Sequence, residues 1–420
     1  MYFSSANEKL IFFNFPVLLF SLIPFFLITG PFLSDLAVSL ISLLFLIFCF
    51  KEKNFYYFKN KYFYFFLAFC SYLLINSLIN NYNLDSLKIS LFYFRYGIFV
   101  IAIYALLKTD DNFVKYFFYC IFICFTALIF DGFYQYFIGE NILGWKNSSR
   151  TSSFFGDEHI LGSYLSRLWP LFFGLSIFFM KKKNKFFFLF ILAFILSETL
   201  IFLSGDRSAF FNINLSAIFV ILFSRKLLKL RLLTVLSSFL LLIIITFINP
   251  TAKERLIDNT LVQMNLDEES KGEQKYIFSK NHHGIYASAY KMYIDNKILG
   301  VGIKNFRNIC KDPRYYVNEE INCNSHPHNT YVQILAETGI IGFSFLLFVL
   351  IYFCKFLIKH IISIFKGRRY FNDFEICILS GIAIYLWPFV PTGNVFSNWL
   401  NIALIINLPF LIFSRNSNKT

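Results

Sequence analysis

The stretch from His326 to Gly342 reads His-Pro-His-Asn-Thr-Tyr-Val-Gln-Ile-Leu-Ala-Glu-Thr-Gly-Ile-Ile-Gly and joins a long polar segment to an apolar one. An apolar run of this kind begins where a chain enters lipid, so the histidines at its start should lie where water meets the membrane. The surrounding sequence is mostly apolar and basic, which leaves few other places for polar chemistry. We therefore expect the functional site of the chain at this boundary.

The composition is that of an integral membrane protein. The 420 residues are 57% hydrophobic and 21% aromatic, and only 15% are charged, which is outside the range of ordinary soluble domains. Apolar windows of about 17 to 25 residues recur along most of the chain, and each is long enough to cross a bilayer as a helix. The sequence thus predicts an all-α polytopic fold with about 12 transmembrane helices.

The expected spans divide the chain into three parts. Residues 1–248 would hold the first nine spans with short loops, residues 249–336 one large outer loop carrying short helices, and residues 337–420 the last three spans. The spans are expected at 11–29, 32–50, 62–80, 89–107, 113–137, 160–180, 186–204, 208–223, 232–248, 337–354, 375–390 and 399–413.

The net charge of +14 comes largely from short clusters of Lys and Arg between apolar runs. When the spans alternate in direction, every cluster falls on the same side of the membrane, which indicates topology and not a nucleic-acid-binding surface. We place that side and both termini in the cytoplasm, and we expect membrane lipids but no nucleic acid as partners. The clusters are Lys51, Lys53, Lys59 and Lys61; Lys181, Lys182, Lys183 and Lys185; Arg225, Lys226, Lys229 and Arg231; Lys355, Lys359, Lys366, Arg368 and Arg369; and Arg415 and Lys419.

Two of the eight cysteines, Cys310 and Cys323, lie in the large outer loop. If that loop faces an oxidising compartment, the pair can form a disulfide worth roughly 3 kcal/mol. Two free thiols or a pair of metal ligands are the alternatives. The other cysteines lie in or beside apolar spans, where a thiol behaves as a small apolar side chain.

Four arginines do not fit the topological pattern. Arg207 lies in an outer turn, Arg150 lies in the outer loop before the sixth span, and Arg95 and Arg167 lie inside apolar runs. A guanidinium at membrane depth is costly unless it is paired, so pairing with a carboxylate or a phospholipid phosphate is one interpretation. The other is that two or more of them hold a phosphorylated lipid, because arginine binds phosphate oxygens bidentately. Paired arginines suit a diphosphate.

His328 is the strongest candidate for a catalytic base. The ordinary pKa of histidine, about 6.5, lets the imidazole accept a proton at neutral pH. A structural role is the alternative, because a His-Asn pair with Asn329 as the cap can also begin a helix. Glu337 is the strongest carboxylate at the membrane edge and would either pair with an arginine or orient the base.

His326 lies two residues before His328, and Pro327 holds the chain between them extended. A metal site completed by His282 or His283 with a carboxylate is an alternative interpretation. The spacing is not the one that zinc-binding histidines use on a helix, however. We therefore expect no metal and place His326 and His283 among the residues that support the base.

These residues resemble a known group, the bacterial O-antigen ligase and O-antigen polymerase superfamily of polytopic membrane glycosyltransferases. His328-Asn329 is followed after nine residues by Gly339 and after two more by Gly342, which is similar to the His-Asn-to-Gly pattern at the end of the large periplasmic loop in that family. Both glycines are expected to let the tenth span pack closely on a neighbour. The resemblance extends to residues 150–162, 204–208 and 289–306.

The resemblance implies an enzyme of the bacterial inner membrane whose active site faces the periplasm. His328 would activate an acceptor sugar hydroxyl. Arg207 and Arg150, with Arg95 as a further candidate, would bind the diphosphate of an undecaprenyl-diphosphate-linked glycan donor. The glycan would be transferred in a single displacement with inversion at the anomeric carbon. No metal, nucleotide or other cofactor would be needed, because the donor is already activated.

Three functions stay open at this stage. An O-antigen ligase would use lipid A-core as its acceptor, whereas a polymerase would use a second lipid-linked glycan. We favour the ligase, because the outer loop is one compact cysteine-bearing segment and the sequence has no second large arginine-rich loop. A flippase for lipid-linked oligosaccharides is the more distant alternative, since transporters place ionisable groups near the midplane of repeated halves, and we find no such repeat.

Overall fold

The structure of the protein is a computed structural model. It describes residues 1, 5–80, 84–147, 150–179, 187–225, 228–248, 253–267, 269, 270, 272, 274–317 and 323–417. These residues form helices and connecting loops, with one isolated β-bridge between Glu140 and Lys146. The expected all-α class is therefore confirmed for the described part of the chain. Of the basic clusters, Lys181, Lys182, Lys183, Lys185, Lys226 and Lys419 lie outside the described residues.

The α-helices are numbered here in chain order. They are α1 (Ala6–Lys9), α2 (Phe15–Ser21), α3 (Ile23–Phe26), α4 (Pro31–Lys51), α5 (Lys61–Ile79), α6 (Leu84–Phe92), α7 (Arg95–Thr109), α8 (Val114–Ile138), α9 (Leu161–Phe179), α10 (Phe187–Ser204), α11 (Arg207–Phe223), α12 (Leu228–Ile248), α13 (Asn259–Gln263), α14 (Lys280–Asp295), α15 (Phe306–Ile309), α16 (Thr330–Phe365), α17 (Asp373–Leu386), α18 (Asn398–Ile405) and α19 (Asn407–Ser417).

Six helical stretches among the described residues are long and apolar enough to cross a membrane, by length and composition. Helical segments also overlap each of the expected spans, which indicates a multi-pass membrane protein. That all twelve expected spans cross the membrane, and which side each loop faces, stays a prediction. The six stretches are Pro31–Lys51, Lys61–Ile79, Leu84–Thr109, Val114–Ile138, Thr330–Phe365 and Asn398–Ser417.

Helix α9 lies at the centre of the bundle. Its side chains are buried along nearly its whole length, and it packs against α11 and α17. Gly162 allows α9 to approach the start of α11, because a Cβ at this position would lie 2.9 Å from a carboxylate oxygen of Asp206. The outer end of α9 is therefore in direct contact with the turn that carries Asp206 and Arg207.

Helix α16 begins at Thr330, earlier than the expected tenth span, and is broken at Gly339. The φ of Gly339 is +62°, a conformation that glycine adopts at little cost. A Cβ on Gly339 would lie 2.3 Å from the carbonyl oxygen of Ile298. The glycine therefore allows the large loop, and not a neighbouring span, to pack closely on α16. The expected close packing of Gly339 on another span is wrong, whereas Gly342 does face α5, where a Cβ would lie 3.1 Å from the ring of Tyr72.

The large polar loop closes over this break. The N–H of Val301 donates to the carbonyl of Ala336 at 2.9 Å, and the N–H of Ile340 donates back to the carbonyl of Lys297 at 2.9 Å. Backbone groups that the broken helix leaves without partners are thereby satisfied by the loop. This exchange fixes the loop, and with it α14, on the N-terminal part of α16.

Candidate functional site

Asn329 starts helix α16 and holds the backbone of His328. The side-chain oxygen of Asn329 accepts two N–H groups of the first helical turn (3.0 and 3.2 Å), and its amide donates to the carbonyl of Pro388 at 2.8 Å. His328 has a φ of +56°, and its carbonyl accepts the N–H of Thr392 at 2.7 Å. A positive φ on a residue other than glycine is strained and persists only where its neighbours enforce it. The backbone of His328 is thus set by contacts on both sides.

Three histidine side chains meet at this point. The ring centre of His328 lies 4.0 Å from that of His326 and 5.8 Å from that of His282. His282 belongs to the first turn of α14, which the docked loop carries against the start of α16. The loop therefore completes a cluster that neither segment forms alone.

Both ring nitrogens of His326 are engaged. Nε2 donates to the carbonyl of Thr392 at 3.2 Å, which leaves Nδ1 to accept the hydroxyl of Ser325 at 2.8 Å. Burial, together with the nearby charge of His328, lowers the pKa of His326 to about 4. His326 is a neutral structural residue, and the alternative in which it binds a metal loses support because no ring lone pair is left for the ion.

His282 and His328 differ in what their rings can do. Nδ1 of His282 is held by the hydroxyl of Ser279 at 2.7 Å, and burial lowers the pKa of His282 to about 4. Burial also lowers the pKa of His328, whose ring nitrogens have no hydrogen-bond partner among the described residues. His328 is therefore neutral at pH 7 and is the one member of the cluster with both nitrogens available to a ligand.

Arg207 lies beside the histidine cluster. It is the first residue of α11, and its guanidinium donates to the Thr260 hydroxyl and to the side-chain oxygen of Gln263, both at 3.0 Å. Its positive charge acts on His282. Within the described residues Arg207 forms no ion pair, so its charge is available to an anion.

Arg150 approaches the same place from the loop between α8 and α9. Its charge interacts with those of Arg207 and Asp206, and in the described structure its guanidinium has neither a hydrogen bond nor an ion pair. The loop is held by two buried side chains of α8: Asp131 accepts the Ser153 hydroxyl at 2.6 Å, and Gln135 accepts the N–H of Ser153 at 2.7 Å. Two guanidinium groups that form no ion pair within the described residues thus interact with each other from separate elements of the fold.

An apolar cavity of about 690 Å³ adjoins Arg207. It lies between α10, α11 and α12 and is walled mostly by phenylalanine and aliphatic side chains, with Arg207 and Thr260 at its polar end. Such a shape offers a hydrocarbon chain an apolar wall and its head group a guanidinium. The lining residues are Phe202, Arg207, Phe210, Phe211, Asn214, Phe239, Leu242, Ile243, Thr246, Phe247, Ile257 and Thr260.

Two expected site residues are occupied elsewhere. Arg95 donates to the carboxylate of Asp35 from Nη2 at 2.6 Å and from Nε at 3.0 Å, so its charge is neutralised and the expectation that it binds diphosphate finds no support. Glu337 is fully buried and accepts the amide of Gln333 at 3.0 Å and the N–H of Phe306 at 3.3 Å. Among the described residues, the carboxyl of Glu337 forms no ion pair with an arginine and no hydrogen bond with His328; it ties the loop to α16.

Cys310 and Cys323 are joined by a disulfide with an S–S distance of 1.96 Å. Cys310 is buried in a small apolar core of the loop, together with Met292 of α14 and Phe306 of α15. The bond ties the chain just before His326 to this core. Its location supports the prediction that the loop faces an oxidising compartment.

The sequence predicted His283 as a supporting residue, but its neighbour His282 is the histidine that contacts His328. It also did not predict the loop that contains Thr392. His283 is exposed and lies 5.3 Å from the ring of Tyr276, whereas its neighbour His282 contacts His328. Thr392, in the short loop between α17 and α18, accepts the ring N–H of His326 and donates its own N–H to the carbonyl of His328, a role that the sequence did not predict. The cluster Pro388-Phe389-Val390-Pro391-Thr392-Gly393 at the end of a span was the available signal.

A comparison with models of known protein families found a match. A family model for O-antigen ligase matches residues 187–347, a segment that runs from α10 through the large loop into α16 and contains Arg207, His282 and His328. No curated protein matches the chain. The family match indicates an O-antigen ligase-like or polymerase-like function and substrates that are lipid-linked glycans. Residues 187–347 of the chain are thus similar to the O-antigen ligase family.

Proposed function

We propose that this chain transfers a glycan from an undecaprenyl-diphosphate carrier to a sugar hydroxyl at the periplasmic face of the bacterial inner membrane. The observation that carries the proposal is the free imidazole of His328 next to guanidinium groups without counter-ions. His282 links the two, because its ring contacts that of His328 and its electrostatic environment includes Arg207. We therefore take a general base and an anion site to lie close together.

The chemistry that this arrangement supports is a single displacement. The acceptor hydroxyl loses its proton to a ring nitrogen of His328 as its oxygen forms a bond to the anomeric carbon. The bond from that carbon to the diphosphate oxygen breaks, and the electron pair leaves with the diphosphate. Attack from the face opposite the leaving group inverts the anomeric configuration.

Arg207 and Arg150 would stabilise the departing diphosphate. Charge grows on its bridging oxygen in the transition state, and guanidinium groups fixed beforehand stabilise that charge without reorganising. A neutral His328 is suited to receive the proton, because its lowered pKa keeps it unprotonated at pH 7. In this mechanism the protein needs no metal, since the leaving group is already activated.

The apolar cavity beside Arg207 would take the first isoprene units of the carrier. Its aromatic wall lies between helices at the edge of the bundle, where a lipid can enter sideways from the bilayer. Arg207 at its polar end would then meet the diphosphate. This placement supports a donor that arrives from the membrane and an acceptor that arrives at the histidine cluster.

The acceptor separates two versions of the function. We favour ligation to lipid A-core, for the reason that the loop is one disulfide-bonded segment docked on α16. Polymerisation on a second lipid-linked glycan uses the same chemistry. Reconstituted protein given one labelled donor with either lipid A-core or unlabelled donor distinguishes them by the molecule that receives the label.

His328→Ala tests the proposal in bacterial cells that depend on this chain, with His283→Ala as the matched control. The expected result is loss of surface glycan and accumulation of lipid-linked donor on the outer leaflet in the first variant only. Donor accumulation on the inner leaflet would point to the flippase. Normal surface glycan with His328→Ala would refute the proposed role of this histidine.

A further inference from the structure

Arg167 is a buried arginine whose charge is not paired directly. It is 3% exposed and lies on α9, the most enclosed helix, with its guanidinium carbon 4.5 Å from the ring centre of Tyr385 on α17. Its Nε has no hydrogen-bond partner, and no carboxylate of the described residues lies within 4 Å of it. A cation–π contact offsets only part of the cost of burying such a charge.

The carboxylate of Asp206 interacts electrostatically with Arg167. The same carboxylate caps α11 by accepting the N–H of Ala209 at 3.0 Å, and α9 approaches it closely at Gly162. Burial raises the pKa of Asp206, and the positive charges of Arg150 and Arg167 act in the opposite direction. Among the described residues neither arginine forms an ion pair with this partly buried carboxylate, whose negative charge interacts with two guanidinium groups on different elements.

We propose that Arg167 is a positioning residue: by sharing Asp206 it prevents that carboxylate from capturing Arg150, and so leaves Arg150 free for the diphosphate. Asp206 stands next to Arg207 in the chain and would otherwise place a full negative charge beside the anion site. The positive charge of Arg167, on α9, balances the negative charge of Asp206 without occupying the anion site. This inference rests on the proposed function, because it takes the diphosphate as the anion that Arg150 binds.

Removing the charge of Arg167 should let Arg150 and Asp206 form a closed ion pair. Arg167→Gln is then expected to weaken binding of a diphosphate lipid by about tenfold, the effect of losing one partly buried charge contact. Arg167→Lys keeps the charge and should retain most of the affinity. Asp206→Asn keeps the helix cap, because asparagine caps as well as aspartate, and should not weaken binding.

The deciding test is the double variant Arg167→Gln with Asp206→Asn, measured by binding of farnesyl diphosphate to purified protein in detergent. We expect the double variant to bind as tightly as Asp206→Asn alone, since no carboxylate is left to capture Arg150. Arg231→Gln is the matched control, because Arg231 is also buried but caps the far end of α11 through the carbonyls of Val220 and Ser224. It should lower thermal stability without changing affinity.

Two results would overturn the inference. If the double variant binds as weakly as Arg167→Gln, Arg167 contacts the diphosphate itself. If Arg167→Gln lowers stability but not affinity, its role is only structural. If the wild type binds no diphosphate lipid, the proposed function fails. Thermal unfolding of the wild type, the two single variants and the double variant still tests whether Arg167 and Asp206 interact. Additive changes in their stability would refute that interaction.

Discussion

The imidazole rings of His282 and His328 meet edge to face, with centres 5.8 Å apart and planes at 83°. The ring of His282 belongs to the large loop and the ring of His328 lies at the start of α16. Their contact therefore depends on the docking of the loop against this helix. The Ser279 hydroxyl holds the ring of His282, whereas that of His328 has no hydrogen-bond partner among the described residues. On this difference we base the proposal that His282 supports the site and that His328 transfers the proton.

The rate of glycan transfer should depend on pH through the protonation of His328. Burial lowers its pKa below the ordinary value of about 6.5, and only the neutral ring can accept the hydroxyl proton. Activity is therefore expected to be constant at neutral pH and to fall as the pH drops through the lowered pKa. Initial rates of glycan transfer between pH 4 and 8 check this. An acid limb with its midpoint above about 6.5 would contradict the assignment.

The stability of the protein should depend on His326 in a defined pH window. The folded-state pKa of His326 is about 4, and the unfolded value is about 6.5. The folded protein thus binds fewer protons between these values, so its stability is complete above pH 6.5 and is lost as the pH falls towards 4. His326→Gln should flatten the dependence of Tm on pH in this window. An unchanged slope would show that the ring is not buried in neutral form.

Gly339→Ala should destabilise the protein by about 3 kcal/mol or more, because it combines a strained φ with a collision against the Ile298 carbonyl. Gly367→Ala is the matched control: its φ is +68°, but nothing lies within 4 Å of the added Cβ. The control should lose only about 1 kcal/mol. Denaturant unfolding in detergent measures both. Equal losses would mean that the loop is not locked into the break of α16.

Asp35→Asn tests the reassignment of Arg95. The ion pair is mostly enclosed, with side-chain exposures of 12% for Arg95 and 27% for Asp35. Leaving the guanidinium without its counter-ion should reduce stability by about 3 kcal/mol. Affinity for a diphosphate lipid should not change, because the guanidinium of Arg95 is already engaged by Asp35 and Asn398. A loss of affinity at unchanged stability would return Arg95 to the donor site.

Arg207→Ala should weaken binding of the diphosphate lipid by about 100-fold, the effect of losing a charge-assisted contact worth roughly 3 kcal/mol. Gln263→Ala removes one neutral partner of the same guanidinium and is the matched control, with an expected change of less than tenfold. Isothermal titration in detergent gives both values. Equal and small changes would exclude Arg207 from the donor site.

What the sequence predicted was local or periodic. The runs of apolar residues placed helices along the chain, and the pattern from His328 through Asn329 to Gly339 indicated a site beside an apolar span. It did not predict that the helix begins at Thr330 or that it breaks at Gly339. What it could not predict depends on tertiary partners. Arg95 and Arg207 are chemically identical, and only the carboxylate of Asp35 beside one of them separates their roles.

Whether His282 or His283 faces the site also depends on tertiary contacts. Consecutive residues of a helix point about 100° apart, so either His282 or His283 can face the site until the docking of α14 is known. That docking is set by the exchange of backbone hydrogen bonds around Gly339, between segments about 40 residues apart. Arg167 likewise looked like an ordinary buried ion, because Asp206 is distant in sequence.

In the proposed reaction His328 acts as the base while the arginines hold the donor. Single-turnover glycan transfer by the purified His328→Ala variant is the most direct test of this division of roles. We predict that the rate of glycan transfer falls by at least about 100-fold, the usual contribution of a general base, while the Kd for the diphosphate lipid stays that of the wild type. Transfer at an undiminished rate with donor bound normally would contradict the account.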